Sequence, residues 1–295
     1  MSNLLDPKND YVFKRLFADA PTLLAALIDA IRPQAAPIAR LTVKDPTIDA
    51  EELRGKYIVL DLLAEDTDGA QYNIEMQVRR YRAWGARSAY YLAKLVTGQL
   101  VAGDDYGGLK PAIGIHLLDF DLFQDPAHRE QAIWCFEMCD AVTPTVTLGQ
   151  ELQLNLIELR KADRLQRTTG ALSAWIALFE HWQEDQTMSQ IANEPVRAAL
   201  DKLRHLSADA ETRRLAFVRE RALHDERSLL KDAREEGWEE GWEEGREEGR
   251  EQGKADALRQ IAMNLIRSSG LDDATIATAT GLSLTDIGAL RQQLQ

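Results

Sequence analysis

The run YIVLDLLAEDTDGAQYNIEMQ, Tyr57 to Gln77, leaves this chain few ways to fold. Its first part, YIVLDLLA, is apolar on both faces, as strands buried within a sheet are. Its last part places Asn73, Glu75 and Gln77 on alternate positions, the period of a strand. Between them lies EDTDGAQ, a turn sequence. A two-residue loop, Asp68-Gly69, would set Asp61 opposite Met76 and bury its charge among Tyr72, Ile74, Met76 and Val78 without a partner, which is costly. A three-residue loop, Thr67-Asp68-Gly69, fits a type I turn closed by a left-handed Gly. Asp66 then faces Ala70, and Asp61 faces Glu75. The second register keeps Asp61, Asn73, Glu75 and Gln77 on one side and the apolar residues on the other, and is the one expected here.

Opposed residues of an antiparallel pair have Cβ atoms about 4.5–5.5 Å apart. Two carboxylates that close in a partly buried place repel one another, and a proton or a divalent cation relieves the conflict. Hard oxygen ligands suit Mg²⁺ or Mn²⁺, and magnesium takes one or two carboxylates and keeps several waters. The competing reading is a solvated polar face on a two-sided sheet. The apolar character of the Asp61 strand argues against an open surface there.

The rest of the chain sets this hairpin in an α/β context. Residues 9–31 have helical periodicity, with Pro21 opening a second helix and Pro33 just past its end. Strands are expected near Leu41–Lys44, in GLKPAIGIHLLDF ending near Phe120, and over 131–140 and 151–159. Residues 83–101 read as a helix. The order helix, strand, strand, strand, helix, strand indicates α/β. Beyond Lys161 the chain turns helical and more charged. Four segments are expected: 1–160, 161–232, 233–255 and 256–295.

The net charge of −13 excludes a polycationic nucleic-acid binder, though not an enzyme that meets DNA through a local patch and a metal. Cys135 and Cys139 lack a second pair or a His cluster that would complete a zinc site, and read as reduced, buried or incidental thiols. The start, MSNLLDPKND, has no basic segment followed by an apolar run, and no stretch approaches the eighteen or so apolar residues of a membrane span. The expectation is a soluble cytoplasmic protein without a membrane partner.

Taken in order, KNDYVFKRLF, the Asp61 strand, NIEMQ, RSAYYLAKL with DDYGGLKPAIGIHLLDF, LIELRKA, and the Glu-Glu-Gly repeats resemble the recombination-promoting, transposase-like nucleases of the PD-(D/E)XK superfamily. The resemblance implies a restriction-endonuclease-like core, a mixed central sheet flanked by helices, with a helical C-terminal extension. It implies a Mg²⁺-dependent endonuclease, with Mn²⁺ as substitute, that cuts DNA in recombination or mobile-element activity. Carried onto this chain, Asp61 and Glu75 are the metal-binding acids, with help from the Met76 carbonyl. Gln77 stands where the superfamily motif has Lys. Gln orients water by hydrogen bonds but supplies no charge.

Two further features lie near these residues. Asp10 is either an additional acid or the cap of the first helix, and the cap is the expectation. VRRYRAWGAR interleaves Arg79, Arg80, Arg82 and Arg87 with aromatics, which suits phosphate contact and base stacking. The same arginines would equally serve a strand end by pairing with nearby acids.

The tail REEGWEEGWEEGREEGREQGK repeats Gly every fourth residue from 237 to 253. Each Gly costs a helix about 1 kcal/mol relative to Ala, which favours a flexible acidic linker over a self-associating helix that would make a homo-oligomer. Residues 271–294 have helix-turn-helix spacing at Ala277, Gly281 and Ile287. Asp286 beside Arg291 favours a protein-contacting pair of helices over a DNA reader. Two functional readings therefore stand: the metal-dependent DNA endonuclease, and a non-catalytic interaction protein that keeps the nuclease fold. Nothing in the residues reads a 2′-hydroxyl, so RNA is open as a substrate.

Overall fold

The computed structural model describes residues 4–44, 47–48, 58–59, 61–80, 83–268 and 270–294. They form two compact units, Met1–Ala222 and Leu223–Gln295.

The first unit is built on a six-stranded mixed sheet. Its strands are β1 (Leu41–Lys44), β4 (Leu62–Asp66), β5 (Gln71–Gln77), β6 (Ala112–Leu118), β7 (Ile133–Glu137) and β8 (Leu152–Glu158), in the order β1-β4-β5-β6-β8-β7. β5, β6 and β8 run parallel, and β1, β4 and β7 complete the sheet antiparallel. A separate ribbon pairs β2 (Thr47–Ile48) with β3 (Ile58–Val59). This is the restriction-endonuclease-like α/β architecture expected from the sequence, with its helical C-terminal extension.

Side-chain alternation divides the two faces of the sheet. Tyr72, Ile74 and Met76 of β5 and Ile113, Ile115 and Leu117 of β6 enter the main core. That core is closed by α1 (Asp10–Phe17), α2 (Pro21–Ile31), α4 (Leu159–Leu165), α5 (Gly170–His181), α6 (Asp185–Ser189) and α7 (Glu194–Ala208). On the other face, α3 (Trp84–Thr97) packs across β6 and β8 through Leu92 and Leu95. Gly114 lets α3 come close. A Cβ there would stand 2.7 Å from Leu154 Cδ1 and 3.3 Å from Leu92 Cδ2.

The hairpin takes the three-residue turn. Leu62 pairs with Ile74 and Glu65 with Gln71, Asp66 N donates to Ala70 O at 3.1 Å, and Gly69 has φ +87°. A left-handed φ suits Gly and penalises any residue with a Cβ. Gly69→Ala is expected to cost about 1–2 kcal/mol, read as a lower urea midpoint with an unchanged m-value. An unaltered midpoint would show that the turn does not depend on Gly.

Some expectations change. The Asp61 strand is not continuous: Asp61 sits at a bend between β3 and β4. Tyr57 and Leu60 of that run lie outside the described residues. The cysteines are free, as a reduced pair should be, and are exposed rather than buried.

α8 (Ala210–Ser268) begins in the first unit and supplies most of the second. The Gly-repeat segment is therefore helical rather than a flexible linker. The helix continues on both sides of the repeat, so nucleation is not charged to it. Side-chain pairs also support it: Arg250 bonds Glu247 at 2.7 Å, and the Arg246 guanidinium lies 4.9 Å from the Trp242 ring centre. α9 (Asp273–Thr280) and α10 (Leu284–Gln293) form the expected helical pair. Ala262, Ile276 and Ile287 make its core, with Ala277 packed at the edge and Gly281 left-handed at φ +72°. Arg291 is held by Asp273 at 2.8 Å. Among the described residues, no helix is long and apolar enough to cross a membrane.

Candidate active site

The α3-facing side of β5 carries Asn73, Glu75 and Gln77, and continuing the β4–β5 register sets Asp61 opposite Glu75. Polar groups are scarce in the interior of a sheet, yet Asn73 and Glu75 are buried. Their side chains are organised around one carboxylate. Asn73 Nδ2 donates to Glu75 Oε1 at 3.2 Å, and Gln77 Nε2 donates to Glu75 Oε2 at 2.8 Å. Two amides on one strand thus hold Glu75 from both sides. The bend at Asp61 has a local cause. Asp61 Oδ2 accepts the Met76 N–H at 3.0 Å, so the side chain takes a main-chain donor that a continuing strand would offer a carbonyl.

The electrostatics follow from this crowding. Burial, then the Glu75 charge, pushes the Asp61 carboxyl up from 3.8 to about 6. Burial also raises Glu75, against the pull of Asn73, Arg87, Gln77 and Lys14. Two carboxylates in this condition are short of positive charge. As hard oxygen donors flanked by neutral amides, they fit a Mg²⁺ or Mn²⁺ ion that keeps most of its waters. Among the described residues, no group of three or more His, Cys, Asp or Glu side chains is arranged to hold a metal, so a larger protein cage is not offered.

The remaining expected residues divide. Arg87 lies on α3, donates from Nε to Tyr91 Oη at 2.8 Å, and its charge reaches Glu75. Arg79 is half-buried just past β5 and Arg80 is exposed. Arg82 lies outside the described residues. Asp10 is not the cap of α1. Asn9 fills that position, accepting from Tyr11 N and Val12 N at 3.1 and 3.3 Å. Asp10, one residue on, bonds Arg219 Nε at 2.5 Å, and its charge is felt at Asp61.

Two residues complete the surroundings that sequence reasoning passed over. Lys14 of α1 places Nζ 3.6 Å from Asp61 Oδ1. His116 is the β6 partner of Glu75, with Nδ1 4.0 Å from Glu75 Oε2. Its ring is buried against Trp84, and burial, with Arg87 adding to it, lowers its pKa to about 3, so the ring is neutral. Both had faint signals. Lys14 lies four residues after Asp10 on the same helical face, and His116 is the lone polar side chain in AIGIHLL.

A family model described as PD-(D/E)XK nuclease family transposase matches residues 7–233. The chain belongs to that family. The match spans the whole sheet, including Asp61, Glu75 and Gln77, and gives this PD-(D/E)XK nuclease family transposase a nuclease-related or transposase-like role. Neither a search of curated proteins nor a search of solved structures finds a match.

Proposed function

We propose that this chain is a Mg²⁺-dependent DNA endonuclease acting in recombination or mobile-element chemistry. The observation that carries the reading is the closeness of Asp61 to the buried Glu75, whose charge acts on it, with Gln77 bonded to Glu75 on the same strand. Asp61 and Glu75 would hold the ion. Bound there, Mg²⁺ or Mn²⁺ would supply an acidified water and counter-charge for the phosphate.

The chain's own residues account for the rest. Asn73 and Gln77 fix Glu75, so its geometry is set before substrate arrives. Gln77 Oε1, not used in holding Glu75, accepts from the attacking water and orients it. The water gives up one proton to solvent as its oxygen bonds to phosphorus, one ester P–O bond breaks, and the departing oxygen takes up a proton from solvent. Arg87 steadies the scissile phosphate, while Arg79, Arg80 and Arg82 contact the flanking backbone. Asp10 adds negative charge at the rim of the site.

Nicking of supercoiled plasmid tests this directly. The wild type is expected to cut with Mg²⁺ and not with EDTA, and Asp61→Ala and Glu75→Ala to cut about 100-fold more slowly or worse. Equal cutting by both variants would remove these residues from the chemistry. No cutting by any form, with no calorimetric Mg²⁺ or Mn²⁺ binding, would instead favour a non-catalytic interaction protein. A parallel RNA substrate decides between the two nucleic acids.

A further inference from the structure

We propose that Lys14 supplies the positive charge at the scissile phosphate that Gln77 cannot. This rests on the nuclease reading above and adds a catalytic residue to it. The charge count shows the need. Asp61 and Glu75 contribute two negative charges, a divalent ion balances them, and Gln77 contributes none. A phosphodiester brings one negative charge and gains more on its oxygens as water attacks. A fixed cation beside the carboxylates meets that demand.

Lys14 is placed for it. Its helix is anchored by Val12, Phe13, Leu16 and Phe17, all buried. Its ammonium lies 3.6 Å from Asp61 Oδ1, while its side chain stays about one-third exposed, at 35%. Its charge acts on both carboxylates, opposing the upward push of burial on Asp61 and Glu75 alike.

Among the described residues, the buried lysines of this unit are committed elsewhere. Lys8 is held by Asp119 at 2.9 Å and Glu180 at 3.1 Å. Lys161 is held by Glu158 at 2.7 Å and the Phe123 carbonyl at 2.8 Å. Lys14 has a single long ion pair and, among the described residues, no side-chain hydrogen bond within 3.5 Å. Three donors remain for phosphate oxygens or for the attacking water. Lys14 reaches the site from another element, so the charge need not come from the strand that carries Glu75.

The test compares wild type, Lys14→Met, Lys14→Arg and Lys14→Met/Gln77→Lys, each checked for a cooperative thermal transition. Two readouts are taken: plasmid nicking with Mg²⁺, and Mn²⁺ binding by calorimetry. Lys14→Met is expected to cut about 100-fold more slowly and to bind Mn²⁺ several-fold more tightly, because a repelling charge has left the carboxylates. Lys14→Arg should retain much of the rate, and Gln77→Lys should return about tenfold or more to the Met variant. A wild type that cuts while Lys14→Met cuts equally fast overturns the Lys14 role and leaves the nuclease reading intact. Equal losses in the Met and Arg variants without rescue by Gln77→Lys do the same. A wild type that neither cuts nor binds Mn²⁺ overturns both.

Discussion

Glu158→Ala is expected to destabilise the first unit by about 3–5 kcal/mol, the cost of breaking a buried ion pair from one side. Glu158 is fully buried at the end of β8, and Lys161, one turn into α4, is 2% exposed. The carboxylate takes Lys161 Nζ at 2.7 Å, Trp134 Nε1 at 2.8 Å and Phe123 N at 3.0 Å, besides Leu122 N. It thus joins β8, α4, β7 and the loop after β6. Removing it leaves a buried ammonium with only the Phe123 carbonyl, and three N–H donors without their acceptor. Urea unfolding of the purified chain measures the loss. Glu158→Leu/Lys161→Met, which removes both charges together, should lose clearly less than the two single changes summed. A loss below about 1 kcal/mol for Glu158→Ala would show that the network contributes little.

The second large effect has the opposite sign. Asp61→Asn is expected to stabilise the ion-free chain at pH 7.5 by about 2 kcal/mol, a rise in Tm of roughly 4–8 °C for a unit of this size. Asp61 titrates near 6 in the fold against 3.8 ordinarily. Between those values the folded state binds more protons than the unfolded state, so stability falls as pH rises. Below about pH 4 both states are protonated and the penalty vanishes. Above about pH 6 it is complete. Asn removes it while keeping an oxygen for the Met76 N–H. Burial raises Glu75 as well, which contributes in the same direction. The gap in Tm between variant and wild type should therefore close as pH is lowered from 7.5 to 4. Saturating Mg²⁺ should narrow it at pH 7.5 by stabilising the wild type. A variant no more stable than wild type at pH 7.5, or a gap indifferent to pH, would contradict the account.

Much of the candidate site's local geometry was legible because its determinants are local. The Thr67-Asp68-Gly69 turn and the cost of burying Asp61 unpaired set one register, and that register places Asp61 opposite Glu75. The apolar run of β6 gave a buried strand for the same reason. What was missed depends on packing or on competition between neighbours. Asn9 and Asp10 are both good caps, and only one position exists. The bend at Asp61 arises when a side chain outcompetes a carbonyl for the Met76 N–H. Lys14 meets Asp61 only once α1 is docked on the core. His116 meets Glu75 only because β6 joins β5 in one parallel register, which a crossover connection does not announce in sequence. The Gly-repeat segment was misjudged by summing residue penalties while omitting the helix on either side.

The strand order also carries a statement about assembly in time. The connection from β5 to β6 carries α3, but the chain leaves β6 at Leu118 and returns as β8 only at Leu152, having already traversed β7. β7 finds its ladder partner in β8 alone. The edge position is thus not the last in sequence: β7 is made before β8, the strand it pairs with, and lies one strand farther from β6. Pairing β8 with β6 across the intervening β7 is non-local, and such pairing slows folding. Until β8 is made, a strand bearing Trp134 and Phe136 is without its ladder partner, while the hairpin that carries Asp61 and Glu75 needs only residues close in sequence to form.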